Sequence, residues 1–556
     1  MRRGILTLLA VLTAGCGTEQ MERSHQAAGG PATEIDATDI DGSRLGTVVL
    51  VDACTASARR YLERGLALLH SMTYEEAASG FEAATEADSE CAIGYWGQAM
   101  TLVHPLWSDP PSEAEFERGA ALLATAREKA ATDHELAYVN ALSPYFEVGR
   151  TDSEKPNLAA FEEGWRAFHE AYPDDPEGAA FYALAQLSTV DPADKTYAKQ
   201  RQAGALAEEV LARYPDHPGA HHYIIHAYDN PVLSPDAVEV ARSYSDLAPE
   251  IPHALHMPTH TFTRLGLWQE SIDWNRRSAD AALNRPVGES QSLHYFQALD
   301  YLAYAYLQGA EDGRATAVLE ELRAVQPPYQ PHLASAYTFA AVPARLALER
   351  HRWEEAADLE PRTPADYPWD AAASSEAITY FARALGAARS GRFEQARADL
   401  ETLAGLQEQV AAGSPYWGTQ VEIQRLSAAA WLQFEEGDHE GAVMTMMQAA
   451  DMEAGTEKHP VTPGEVLPAR ELLADMFMEL GDYEQALAAY EATLERSPNR
   501  FNSLYGGGMA AAKIGDTAKA SAYFDALLEV TAEADTPRPR LEEVRSFVQA
   551  HAPQSG

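Results

Sequence analysis

The sequence predicts an all-α solenoid, a superhelix of stacked helical hairpins. Three observations carry that reading. A proline–histidine pattern recurs after 34 residues: Pro218, His222 and His226 in one copy, and Pro252, His256 and His260 in the next. Small and large residues return at fixed helical offsets along most of the chain. At 556 residues, 46% hydrophobic and 23% charged, the chain is too long for one compact core but natural for a structure that grows by adding repeats. No stretch shows convincing β-strand alternation.

A period of 34 is that of the tetratricopeptide repeat (TPR), a helix–turn–helix unit. Repeats begin near Ala58. Gly65, Tyr74, Ala77, Phe81 and Ala84 fall where that unit needs small residues for close helix approach and large ones to fill the gap to the next repeat. A second, irregular unit opens at Tyr95-Trp96-Gly97 and is interrupted by a loop over residues 104–111. The frame is clear again from Pro176, where Ala180 and Leu184 stand in the two histidine places, so the scaffold itself does not demand histidine there. Later units are marked by Trp353 and Ala356; by Gly391, Phe393 and Ala396; and by Gly437 and Ala442. The most regular carry Gly481, Tyr483, Ala486, Tyr490 and Pro498, then Gly515, Ala520 and Phe524. Residues 360–370 and 455–466 break the period and read as loops. About nine to eleven hairpins are expected, in an array over residues 46–364 with a histidine-rich groove and a second over residues 365–556.

Residues 1–15 read as a signal peptide: Arg2 and Arg3 give a basic start, and residues 5–13 form an apolar run too short to span a bilayer. Thr13-Ala14-Gly15-Cys16 resembles a bacterial lipobox, with Thr13 where Leu is usual. That resemblance implies lipidation of Cys16. Gly17, rather than Asp, after the cysteine implies the outer membrane, facing the periplasm. Residues 16–45 read as a flexible tether. Of the remaining cysteines, Cys54 and Cys91 are expected either to pair in an oxidising compartment or to be buried thiols. The formal net charge of -42 argues against a nucleic-acid partner and keeps a long surface soluble.

The histidines are the candidate site. Each pair is spaced i, i+4 and shares one helix face. In such arrays the first helix of each repeat lines the concave groove, so His222, His226, His256 and His260 are expected to converge on a zinc, copper or iron ion. His253, His294, Asp229 and Arg264 are expected to line the same groove as ligand-binding residues. Asp229, Asp246 or Asp300 are candidates to orient ring N–H groups. Pro258 either kinks its helix or starts a new one. The competing readings are a polar groove for a peptide carboxylate, without metal, and histidines with purely structural, satisfied contacts. Arg470 and Glu471 read as a local ion pair, and Trp96, Trp107, Trp268 and Trp274 as packing anchors. No G-x-S-x-G, Walker A, HExxH, EF-hand or CxxCH pattern occurs.

Together, Tyr95-Trp96-Gly97, His104-Pro105-Leu106-Trp107, the stretch from His222 to Asp229, that from His256 to Arg264, His459-Pro460-Val461-Thr462-Pro463-Gly464 and Pro498-Asn499-Arg500-Phe501 resemble a family of bacterial TPR-containing envelope lipoproteins of largely unassigned activity. The resemblance covers most of the chain after residue 57. It implies the repeat fold and carries no reaction. The expected function is a membrane-anchored binding or scaffold protein, whose His-lined groove takes an envelope protein, a peptide, a small ligand or a metal. The alternative is a metal-dependent enzyme using the same histidines, with Tyr223, Tyr228 or Asp229 close enough to move a proton.

Overall fold

The computed structural model describes residues 35–36, 43–107, 109–150 and 153–551. The expected signal peptide, Cys16 and most of the expected tether lie outside them. Among the described residues, no helix is long and apolar enough to cross a membrane.

Among the described residues, twelve helical hairpins follow one another, from Ala56–His70 with Tyr74–Ala87 to Phe501–Ile514 with Thr517–Val530, closed by the helix Pro539–His551. The count is one above the upper end of the nine to eleven expected from the sequence. Local sequence explains the starts. Ser112 and Thr132 form capping boxes with Glu115 and Glu135, satisfying amide donors that the first turn leaves orphaned. Pro176, Pro218 and Pro252 each open a helix, where a missing N–H costs nothing. Gly481 and Gly515 end theirs with positive φ, a conformation glycine adopts without strain.

The strand pair Ile35–Asp36 and Thr47–Val48 is antiparallel. The end of the expected tether is seated on the body: Ser43 and Leu45 are buried, and the Thr47 amide donates to the Asp216 carbonyl. Nor does the core divide at residues 364/365. One hydrophobic cluster contains Trp268, Leu348, Phe381 and Met476, because the helix Leu333–Leu348 packs directly on Ala373–Arg389.

The superhelix is not hollow. Residues 456–467, covering nearly all of the loop expected over 455–466, run through its interior, where Thr456, His459, Val461, Thr462, Val466 and Leu467 are buried. The strap is held by hydrogen bonds from Tyr301 to the Thr462 carbonyl, from Arg345 to the Gly464 and Glu465 carbonyls, and from Tyr416 to the Glu457 carbonyl. Val461 joins the N-terminal core cluster. First helices beside the strap are therefore buried on both faces. From His294 to Gln308 every residue of Leu293–Gln308 is buried, as expected of a helix apolar nearly all round.

Candidate functional site

His217 caps the helix Pro218–Ala227 by accepting the Ala220 amide at its Nδ1, and that helix carries His222 and His226. One repeat on, the chain breaks at Met257: Pro252–His256 ends and Pro258–Arg264 begins, because Pro258 has no N–H to continue the ladder. The Met257 amide still bonds the His253 carbonyl and the His260 amide the Met257 carbonyl. His256 and His260 thus stay together, with ring centroids 4.9 Å apart.

Five imidazoles form a closed circuit. Centroid separations are 4.7 Å for His222–His226, 5.8 Å for His226–His260, 4.9 Å for His260–His256, 6.0 Å for His256–His253 and 5.0 Å for His253–His222. His294 joins at 5.1 Å from His253. Ligand nitrogens of His222, His226 and His253 all lie within 4.8 Å of one another. The tightest trio therefore includes His253, expected only as a groove residue, while His256 and His260 form a separate close pair.

The protons on several rings are fixed by their partners. A carbonyl can only accept, so His222 Nδ1–H donates to the His70 carbonyl at 2.6 Å, leaving Nε2 with its lone pair. His222 Nε2, His226 Nε2, both nitrogens of His253 and His294 Nδ1 are buried without a hydrogen-bond partner. Such orphans are rare in folded proteins, and each calls for a water, ion or ligand. Burial lowers the pKa of His222 and of His294 to about 3, and burial and neighbouring rings push His226 and His253 well below the ordinary value. Neutral rings are the form that binds metals.

The site is not the open groove expected from the sequence. His222, His253, His256 and His260 are at most 2% exposed, and His226 alone of the five is half-buried. Two inserted segments close it. From one side the strap brings Lys458 Nζ to 2.8 Å from Asp229 Oδ2. From another, Trp107 lays its ring 5.2 Å from His253, 5.9 Å from His294 and 5.2 Å from His332. Asp229 and Arg264 do not face a ligand space but pair with each other at 2.8 Å. Burial opposes the charge on Asp229, but Lys458 and Arg264 overcome it and hold its pKa well below the ordinary range. Of the three candidate orienting carboxylates, Asp229 takes His260 Nδ1–H at 2.8 Å, Asp300 takes Arg345, and Asp246 is exposed.

A second cluster, His70, Glu177 and His217, escaped the sequence reading. Its ligand atoms also lie within 4.8 Å of one another, yet its bonds are complete. Glu177 accepts from the Val49 amide, from His70 Nε2–H at 2.6 Å and from His217 Nε2–H at 3.2 Å. His70 Nδ1 accepts from Tyr223 O–H and His217 Nδ1 from the Ala220 amide. No ring nitrogen is left free for an ion and both carboxylate oxygens are engaged, so this is a structural network, and its His70 carbonyl orients His222. The signal that could have found His217 was its place before Pro218, matching Asp175 before Pro176.

Cys54 and Cys91 form a disulfide. Arg470 and Glu471 do not pair locally: Arg470 reaches Asp451, and Glu471 joins the buried Arg500. Trp96 is a fully buried anchor and Trp268 donates to the Asn499 carbonyl.

Residues 467–500 match the tetratricopeptide repeat family. No curated protein matches the sequence. Among solved structures, the crystal structure of the yeast Tom70 aligns over 89% of this chain and 95% of that chain, at 12% identity and a TM-score of 0.28. With its succession of helical hairpins and a repeat match in the last third of the sequence, the chain is an all-α, TPR-like solenoid.

Proposed function

We propose that this solenoid is a metal-binding envelope lipoprotein, its His222, His226 and His253 trio holding a zinc, copper or iron ion inside the superhelix. The observation that carries the reading is the set of unpartnered, buried ring nitrogens within 4.8 Å of one another. An all-nitrogen set suits these metals and not magnesium or calcium, which take oxygen. The His70 carbonyl on His222 Nδ1–H is the kind of outer contact that fixes a ligand's tautomer. Lipidation at Cys16 anchors the body, and protein or peptide partners engage surfaces other than the strap-filled interior.

The test is elemental analysis of the full chain purified without a histidine tag, after equilibration with zinc, copper and iron. At least one equivalent is expected, with one equivalent lost in His222→Ala/His253→Ala. Metal-free protein would remove the reading. The anchor is tested separately by detergent-phase partitioning, which Cys16→Ser should abolish.

One observation favours an enzyme as the second reading. Three nitrogens leave a four-coordinate ion one open place, the arrangement of catalytic zinc sites, and the half-buried His226 marks the side from which a substrate would approach.

A further inference from the structure

We infer that His256 and His260 hold a second transition-metal ion, facing the His222 trio across the same circuit of rings. The inference deepens the metal reading above and rests on it only for the neighbouring ion; the pair's own hydrogen bonds carry it.

Each ring of the pair has its proton fixed on the nitrogen away from the other. His256 Nδ1 lies 2.8 Å from Asn275 Oδ1. The orientation of that amide is set because Asn275 Nδ2 donates to the Ser271 carbonyl at 2.8 Å, so Oδ1 faces the ring and His256 Nδ1 carries the hydrogen. His260 Nδ1 lies 2.8 Å from Asp229 Oδ2. That carboxylate also accepts from Arg264 Nε and from Lys458 Nζ, each at 2.8 Å, so it is ionised and His260 Nδ1 carries the hydrogen. Both Nε2 atoms are then acceptors, and they sit 3.1 Å apart. Two lone pairs aimed at each other repel. A cation between them turns that repulsion into two bonds.

The spacing is that of two nitrogens on one metal. With bonds of about 2.0–2.1 Å, a separation of 3.1 Å corresponds to an angle at the ion of roughly 100°, between octahedral and tetrahedral values. The Tyr301 ring, 4.6 Å from His256 and 5.4 Å from His260, closes one side. The other side faces His226 and His253. One ion cannot serve all five rings. Neighbours 4.7–6.0 Å apart on a regular circuit lie about 4.5 Å from its centre, whereas a bound imidazole centroid lies about 3.2 Å from its ion, given bonds of roughly 2 Å. Two ions divide the rings, one between His256 and His260 and one among His222, His226 and His253.

The experiment uses the full, untagged chain, stripped by chelator and titrated with cobalt(II) by visible absorption, with zinc counted by equilibrium dialysis. Wild type should take two equivalents, and His256→Ala/His260→Ala and His222→Ala/His253→Ala one each. One equivalent in wild type, unchanged in His256→Ala/His260→Ala, would overturn the second ion and leave the trio standing. One equivalent lost in His256→Ala/His260→Ala but kept in His222→Ala/His253→Ala would overturn the trio and keep the pair as the site. Asn275→Leu retains all five imidazoles and guards against a folding failure. It should weaken the second equivalent about 10–100-fold, as loss of an outer-shell partner does; two equivalents bound as tightly as in wild type would overturn the inference.

Discussion

Lys458 Nζ lies 2.8 Å from Asp229 Oδ2, joining a strap near the C-terminal repeats to the carboxylate that orients His260. Both side chains are almost fully buried. The contact fastens the strap over the histidine circuit. Lys458→Met should therefore loosen the strap while Asp229 keeps Arg264 and His260. A hydrogen bond to a charged group contributes about 1.5–3 kcal/mol. Release of bound zinc to an excess of chelator should accelerate about tenfold or more in the variant, measured by stopped-flow absorbance. An unchanged rate would mean that metal leaves by a path the strap does not cover.

Glu177 gives the complementary prediction. It accepts from one amide and two histidines with no access to water, and an amide in its place keeps one oxygen acceptor but sets an N–H against the other histidine. Glu177→Gln should cost about 3 kcal/mol, as breaking buried ionic contacts does, yet leave metal stoichiometry as in wild type. Urea denaturation paired with elemental analysis reads both. Loss of one equivalent without loss of stability would instead make His70, Glu177 and His217 a metal site.

The repeat architecture was legible because it is written in short-range period. Gly65 accepts the Phe81 ring so closely that an added Cβ would lie 3.2 Å from it, the small–large fit that the pattern implied. Pro218 and Pro252 start helices as their spacing predicted. The closed interior was not legible. Its contacts join residues far apart, Lys458 with Asp229 and Tyr301 with Thr462, and no local period records them. An open groove was the natural expectation from hairpin stacking alone. His253 lies outside the repeated i, i+4 pattern, so periodicity places it beside the groove and not among the ligands.

The disulfide joins the segment before the first helix to the start of the helix Ala92–Met100, across a sequence separation of 37 residues. Closing a loop of that length removes chain entropy equivalent to roughly 3–4 kcal/mol. Cys54→Ser/Cys91→Ser should raise amide exchange in residues 43–87 by a factor corresponding to most of that figure. The repeats around Gly481 and Gly515 should exchange as before, since each hairpin of a solenoid contacts mainly its neighbours. A uniform change along the whole chain would show instead that the superhelix unfolds as one unit.

Asp300 supplies a pH test away from the proposed ligands. Burial raises its pKa to about 6, against the opposing pull of Arg345, and its Oδ2 has no partner. An unfolded aspartate titrates near 3.9. The folded group thus binds its proton more tightly, and its contribution to stability is fully present below the unfolded value and lost as pH rises through 6. Asp300→Asn cannot titrate. It is neutral at every pH, as protonated Asp300 is, so its stability relative to wild type changes with pH only where Asp300 ionises. The pH-dependent part of the comparison therefore isolates the titration. Between pH 4.5 and 7 the difference in unfolding free energy should move in favour of Asn by roughly 2 kcal/mol, measured by urea denaturation of both proteins at each pH. A flat difference would place the Asp300 carboxyl at its ordinary pKa, and so require water beside its unpartnered oxygen.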